Sequence, residues 1–277
     1  IKWDLNPGHS LSFGFGKHSQ LEELKIYLIN QNVNGEIVLP NKNLALSHSL
    51  QYILGYDWRI NDHMRFKVES YYQDLFNIPG KPGTSYSMIN FTQDWTFRDS
   101  LANNSKGNNY GIDFTLERFL NNGYYFMITT SVFKSTYRGD DEILRNTRFD
   151  KGYLANILAG KEFNLRNNKV LGINGRLIFM GGDWDSPVDM EKSLLGKTVI
   201  YDDTKAFSEQ MPATRFFDLT ITYRINKSHH SSVWALQIKN VLGSPMYEGY
   251  SYYYKTGTIE NKGVAIVLPI FSYKIEF

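Results

Sequence analysis

With 277 residues, a net charge of +2 and 15% aromatic side chains, the chain is long enough for a large core but lacks the bulk charge that draws proteins to nucleic acid. It has no cysteine, which excludes disulfides and thiolate metal sites. Mean hydropathy is −0.38, and no run approaches the roughly 20 apolar residues of a membrane helix; a membrane β-barrel stays open, because its polar inner face dilutes the average.

The sequence opens at I-K-W-D-L, inside a strand-like run and without a start methionine or signal-like segment. It therefore reads as the C-terminal part of something longer. Tight-turn signals follow in order: N-P-G at 6–8, N-D at 61–62, N-N-G at 121–123, R-N-N-K at 166–169 and N-K-S at 226–228. Strand-like runs flank each turn. Before the second, Leu50, Tyr52, Leu54, Tyr56 and Trp58 alternate with Ser49, Gln51, Ile53, Gly55 and Asp57. After it, Met64, Phe66, Val68, Ser70 and Tyr72 alternate with Arg65, Lys67, Glu69, Tyr71 and Gln73. Tyr110, Ile112, Phe114 and Leu116 oppose Gly111, Asp113, Thr115 and Glu117; Phe217, Leu219, Ile221, Tyr223 and Ile225 oppose Asp218, Thr220, Thr222 and Arg224. The run 152–164 has no clean phase. At the end, Val267, Phe271, Tyr273, Ile275 and Phe277 share one face, with Ser272, Lys274 and Glu276 on the other.

Long polar connections near 17–46, 74–107, 138–151, 183–214 and 243–262 separate the hairpins, so short and long connections alternate. Ten runs approach or exceed the roughly 9–11 residues that cross a bilayer when tilted, and a stub at 1–5 precedes them. The charged faces suit a wet lumen, and a sandwich seldom places a long loop at every second connection. Trp3, Phe13, Trp58, Phe66, Phe119, Tyr124, Phe163, Tyr223 and Trp234 gather beside the tight turns, as an interfacial girdle requires. These features predict an all-β fold: an antiparallel transmembrane β-barrel with short turns at one end and long loops at the other.

The closing Y-K-I-E-F resembles the C-terminal insertion signal of bacterial outer-membrane barrels, carried here by Phe271, Tyr273, Ile275 and Phe277. More specifically, L-S-F-G-F-G-K-H-S-Q (11–20), Y-D-W-R-I-N-D (56–62), V-E-S-Y-Y-Q (68–73), L-A-G-K-E-F (158–163), G-I-N-G-R-L (172–177), F-F-D-L-T-I-T-Y-R-I-N (216–226) and L-Q-I-K-N-V (236–241) are similar to the C-terminal half of a TonB-dependent outer-membrane receptor of the Bacteroidetes type, one carrying a carboxypeptidase-regulatory-like domain. The resemblance implies that residues 1–277 are the C-terminal portion of a barrel of about 22 strands. Its plug, remaining strands and TonB box would lie outside this chain. It further implies energised import of a scarce, bulky nutrient (siderophore, cobalamin, glycan or peptide) across the bacterial outer membrane. Implied partners are outer-membrane lipid, the barrel-assembly machinery, the plug, TonB and a surface lipoprotein.

Arg65, Lys67, Glu69, Asp113, Glu117, Arg224, Lys274 and Glu276 are the inward charges expected to face a plug. Trp95, Trp184, Tyr250, Tyr252, Tyr253 and Tyr254 are the outer-loop rings expected to hold substrate. No catalytic arrangement stands out, and neither a cofactor nor a metal is expected. The six histidines lack ligand spacing, Gly14-Phe15-Gly16 precedes no helix, and Asp140-Asp141-Glu142 and Asp202-Asp203 read as solvated acidic loops rather than Ca²⁺ sites. A passive channel or adhesin barrel is the competing function.

Overall fold

A computed structural model describes residues 1–92 and 97–277. Eleven strands form one antiparallel meander, each paired with its neighbour in sequence. They are β1 (Lys2–Asn6), β2 (His9–Gln20), β3 (Ser47–Asn61), β4 (Met64–Gly80), β5 (Ala102–Asn121), β6 (Tyr124–Arg138), β7 (Tyr153–Leu165), β8 (Lys169–Met180), β9 (Thr214–Asn226), β10 (Ser231–Lys239) and β11 (Leu268–Glu276). The short strand Leu144–Asn146 pairs onto the outer end of β6. β1 and β11 are the edges of the sheet. No helix among the described residues is long and apolar enough to cross a membrane.

All five tight turns fall where the sequence places them. At Asn122-Gly123 both central residues have positive φ, 54° and 78°, the mirror-image turn whose twist matches that of a hairpin. Because side chains alternate with period two, the register decides which residues share a face. Trp58, Phe66, Leu116, Ile128, Ile157, Leu177 and Phe217 are successive partners across seven strands and form one apolar row. Lys67, Thr115, Thr129 and Asn156 form a row on the opposite face. The register also phases β7: Ala155, Ile157, Ala159, Lys161 and Phe163 point outward, while Leu154, Asn156, Leu158, Gly160 and Glu162 point inward. Alanine outside and leucine inside flatten the hydropathy contrast, which is why the sequence shows no phase there.

The girdle follows from the same pairing. Tyr223, Trp234 and Tyr273 are cross-strand neighbours, with ring centroids 6.2 and 5.1 Å apart. The Arg118 guanidinium lies 4.1 Å over Tyr124 beside the third tight turn.

The long connections depart from the sequence reading in two respects. β4 and β5 run on to Gly80 and back from Ala102, well inside the span 74–107 read as loop, and β2 continues to Gln20. Their pairing passes irregularities between Leu75 and Gly80, where Asn77 takes φ 59°. That break, followed by Pro79, hides the continuing strand from a period-two reading. The connections are also not simply polar. In loop 21–46, the helical turn Leu24–Tyr27 buries Ile26 completely. Ile26 joins Ile29, Ile78, Met88, Phe97 and Leu101 in the buried apolar cluster, with Leu44, Leu75, Tyr86, Ile89 and Phe91 packed against it. The dry core thus sits at the loop end, above the wall.

Candidate functional site

Two regions carry chemistry. The first is the polar face of the wall near the tight turns. Arg65, two positions past the Asp62-His63 turn, lies between two carboxylates: Nε donates to both Asp57 oxygens at 3.0 Å, and Nη1 reaches Glu117 Oε1 at 3.4 Å. Lys67 pairs with Glu69 at 2.6 Å, and Lys274 with Glu276 at 2.8 Å. Asp113 stands opposite Glu69 and accepts a hydrogen bond from the Ser131 hydroxyl. Arg224 and Lys274 flank Val233 in one row. All eight inward charges named from the sequence therefore lie on one face. Arg176 and Asp218, which are not among those eight, face each other on that same side, and Arg176 donates to Asn156 Oδ1 at 3.1 Å. The alternation in G-I-N-G-R-L could have found Arg176. Inward glycines give the larger rings room: a Cβ on Gly111 would stand 2.8 Å from the Tyr71 hydroxyl, and one on Gly160 only 2.5 Å from Tyr125.

On the opposite face, Phe271, Tyr273 and Ile275 lie against Leu236, Trp234 and Ser232 of β10 and remain 71, 51 and 42% exposed. Phe277 follows, fully exposed, with its ring centroid 6.3 Å from that of His230.

The second region is the loop canopy. Loops 21–46, 81–101, 139–152, 181–213 and 240–267 bind one another rather than splaying. Asn41, wholly buried, donates to the Asp99 carbonyl at 3.0 Å and accepts from Leu101 N–H at 2.8 Å. Gly83 N–H donates to Asp140 Oδ2 at 2.6 Å, Arg148 N–H to Asn90 Oδ1 at 2.7 Å, and the Ser85 hydroxyl to the Asp203 carbonyl at 3.3 Å. These ties surround a cavity of about 660 Å³ whose wall includes Tyr86, Asn90, Phe91, Phe97, Arg148 and Phe207.

Acidic groups of the canopy serve as braces. Arg145 grips Asp141 at 2.8 Å, and that hydrogen bond holds the Asp141 carboxyl below the usual carboxylate range. Asp140 is engaged by Gly83, Glu142 pairs with Lys106 at 2.8 Å, and Asp202 caps the turn Asp203–Lys205. Asp185 is buried, which pushes its carboxyl up; Ser186 N–H and the Tyr201 hydroxyl donate to it. Gly249, at φ +106°, packs against this pair. No cluster of three metal-ligating side chains occurs among the described residues.

Among the described residues, the rings named from the sequence do not converge on one site. Trp184 donates its indole N–H to the Asp150 carbonyl at 2.7 Å and lies under Lys134. Tyr250 approaches the Tyr201 hydroxyl through its backbone. Tyr252 and Tyr254 meet edge to face at 5.0 Å, and Lys262 stands 3.9 Å over Tyr253. None of these five lines the 660 Å³ cavity, whose aromatic walls come from Tyr86, Phe91, Phe97 and Phe207 instead. Trp95 lies outside the described residues.

Wall, girdle and canopy define the fold as an antiparallel transmembrane β-barrel wall. Among solved structures it is similar to BauA, the ferric preacinetobactin receptor of Acinetobacter baumannii (TM-score 0.63, 9% identity, 100% of this chain and 35% of that one). It is also similar to the ferripyoverdine receptor of the Pseudomonas aeruginosa outer membrane (0.59, 11%, 99% and 32%) and to the outer membrane transporter YddB of Escherichia coli (0.61, 11%, 98% and 39%). The chain thus spans about a third of the length of these neighbours. No family model and no curated protein matches the sequence.

Proposed function

We infer that this chain is part of the wall and outer vestibule of a TonB-dependent receptor that imports a scarce, bulky nutrient across the bacterial outer membrane. One observation carries the reading: the molecule has tight hairpins at one end and, at the other, a braced canopy around a cavity of about 660 Å³ above a charged wall. A passive pore needs no such canopy. Lipid tolerates no bare strand edge, so β1 and β11 call for further strands to close the wall, in line with the share of the neighbours that the chain spans. In that barrel Arg65, Lys67, Glu69, Asp113, Glu117, Arg224, Lys274 and Glu276 face a plug. Phe271, Tyr273, Ile275 and Phe277 present the signal for the assembly machinery. Trp184, Tyr250, Tyr252, Tyr253 and Tyr254, with Trp95, are outer-loop contacts for substrate or for a surface lipoprotein. The chain acts as a receptor, not as an enzyme. The Bacteroidetes-type architecture belongs to this reading as well.

Planar-bilayer recording on the full-length protein tests it. A plugged importer gives no steady conductance; a large constant conductance would overturn the reading in favour of a passive channel.

A further inference from the structure

Asn90 and Arg148 meet where loops 81–101 and 139–152 touch, and both line the canopy cavity. The Arg148 backbone N–H donates to Asn90 Oδ1 at 2.7 Å. A backbone N–H only donates, so this contact fixes the amide: its oxygen faces Arg148 and its NH₂ faces away. That NH₂ has no partner, although Asn90 is only 8% exposed. Buried donors are almost always satisfied, so an orphan on a cavity wall points to a ligand.

The Arg148 guanidinium lies 5.8 Å over the Phe207 ring and enters no ion pair among the described residues. The other cations of this wall are engaged, Lys81 with Asp99 at 3.1 Å and Arg145 with Asp141 at 2.8 Å. Asp185 attracts Arg148 at longer range, but its oxygens are hydrogen-bonded to Ser186 and Tyr201. One cavity wall thus carries two donors that the protein does not pair among the described residues, the Asn90 NH₂ and the planar fork of Arg148, together with the rings of Phe91 and Phe207. That arrangement suits a planar monoanion on an apolar body. The carboxylates of Asp99, Asp141 and Asp203 on the same wall disfavour a second negative charge, which selects carboxylate over phosphate.

We propose that Asn90 and Arg148 form a carboxylate-recognition subsite of the outer vestibule, so that the captured nutrient carries a carboxylate attached to an apolar or aromatic body that lies against Phe91 and Phe207. This rests on the import reading for its biological sense but is tested without transport. Full-length protein in detergent is titrated calorimetrically with N-acetylphenylalanine, its primary amide and phenyl phosphate. The acid is expected to bind at least about tenfold tighter than the amide, as a charge-assisted hydrogen bond requires. Arg148→Gln should abolish that preference. Asn90→Asp keeps the oxygen facing Arg148 and replaces the donor by an acceptor; it should weaken the acid by about tenfold or more and leave the amide nearly unchanged. Heat-modifiable gel migration verifies that both variants fold. Equal affinity for acid and amide, no binding of the acid, survival of the preference in both variants, or tighter binding of phenyl phosphate would overturn the subsite. The conductance test of import is unaffected by any of these outcomes.

Discussion

The wall and the canopy are built from one chain but for two solvents. On β11 the apolar side chains face outward, and Phe271 stays 71% exposed; in the canopy Ile26 is 0% and Ile29 5% exposed. The largest fully buried side chains, among them Tyr137, Ile26, Asn41, Thr147 and Asp150, all lie in the loops or at the outer strand ends. The wall keeps its apolar area for lipid and satisfies its backbone through the strand ladder. The canopy stands in water, so it must hide apolar area and satisfy each buried polar group locally, as a small soluble domain does.

The difference is open to experiment. Its strongest expected break is Ile26→Ala, which removes a side chain from the loop core and should cost the canopy about 2–5 kcal/mol. Amide exchange of loops 21–46 and 81–101 should rise while exchange across β7 to β9 stays slow. Leu236→Arg probes the other solvent. Leu236 sits mid-strand on β10 between Ile221 and Phe271, so the charge should cost about 2–4 kcal/mol in folding titrations into vesicles and leave canopy exchange unaltered. Third is Asn41→Ala, which leaves the Asp99 carbonyl and Leu101 N–H unpaired; about 1–3 kcal/mol of canopy stability should be lost, read by limited proteolysis of loop 21–46.

The smallest effect is pH-dependent. Asp141 titrates below its ordinary value of 3.8 because Arg145 holds it, so its contribution is present above that value and fades as the pH falls through the lowered one. Protease sensitivity of loop 139–152 should increase only below about pH 4, and Asp141→Asn should remove that dependence.

Alternation made the wall legible. Rows such as Arg65, Lys67, Glu69 and Tyr71 announce a polar face because each strand has just two faces and the register carries them across the sheet. β7 stayed silent because its outward alanines and inward leucines cancel the signal. The canopy was largely illegible. Its core unites Ile26 with Ile78 and Leu101, which no local period connects. Its cavity depends on contacts such as Asn90 with Arg148, 58 positions apart in the chain. The tyrosines 250–254 drew the eye by composition, whereas the cavity walls come from rings scattered between Tyr86 and Phe207.

The central claim is that alternate residues of the wall meet lipid and a polar lumen. The direct measurement places single spin labels at each position from 268 to 276, a stretch without cysteine, in full-length protein with no other reactive cysteine, reconstituted into vesicles. Accessibility to oxygen, which concentrates in lipid, is expected to peak at Phe271, Tyr273 and Ile275 and to dip at Ser272 and Lys274, where a polar nickel chelate should have readier access. A profile without a period of two, or one with the peaks on Ser272 and Lys274, would contradict the account.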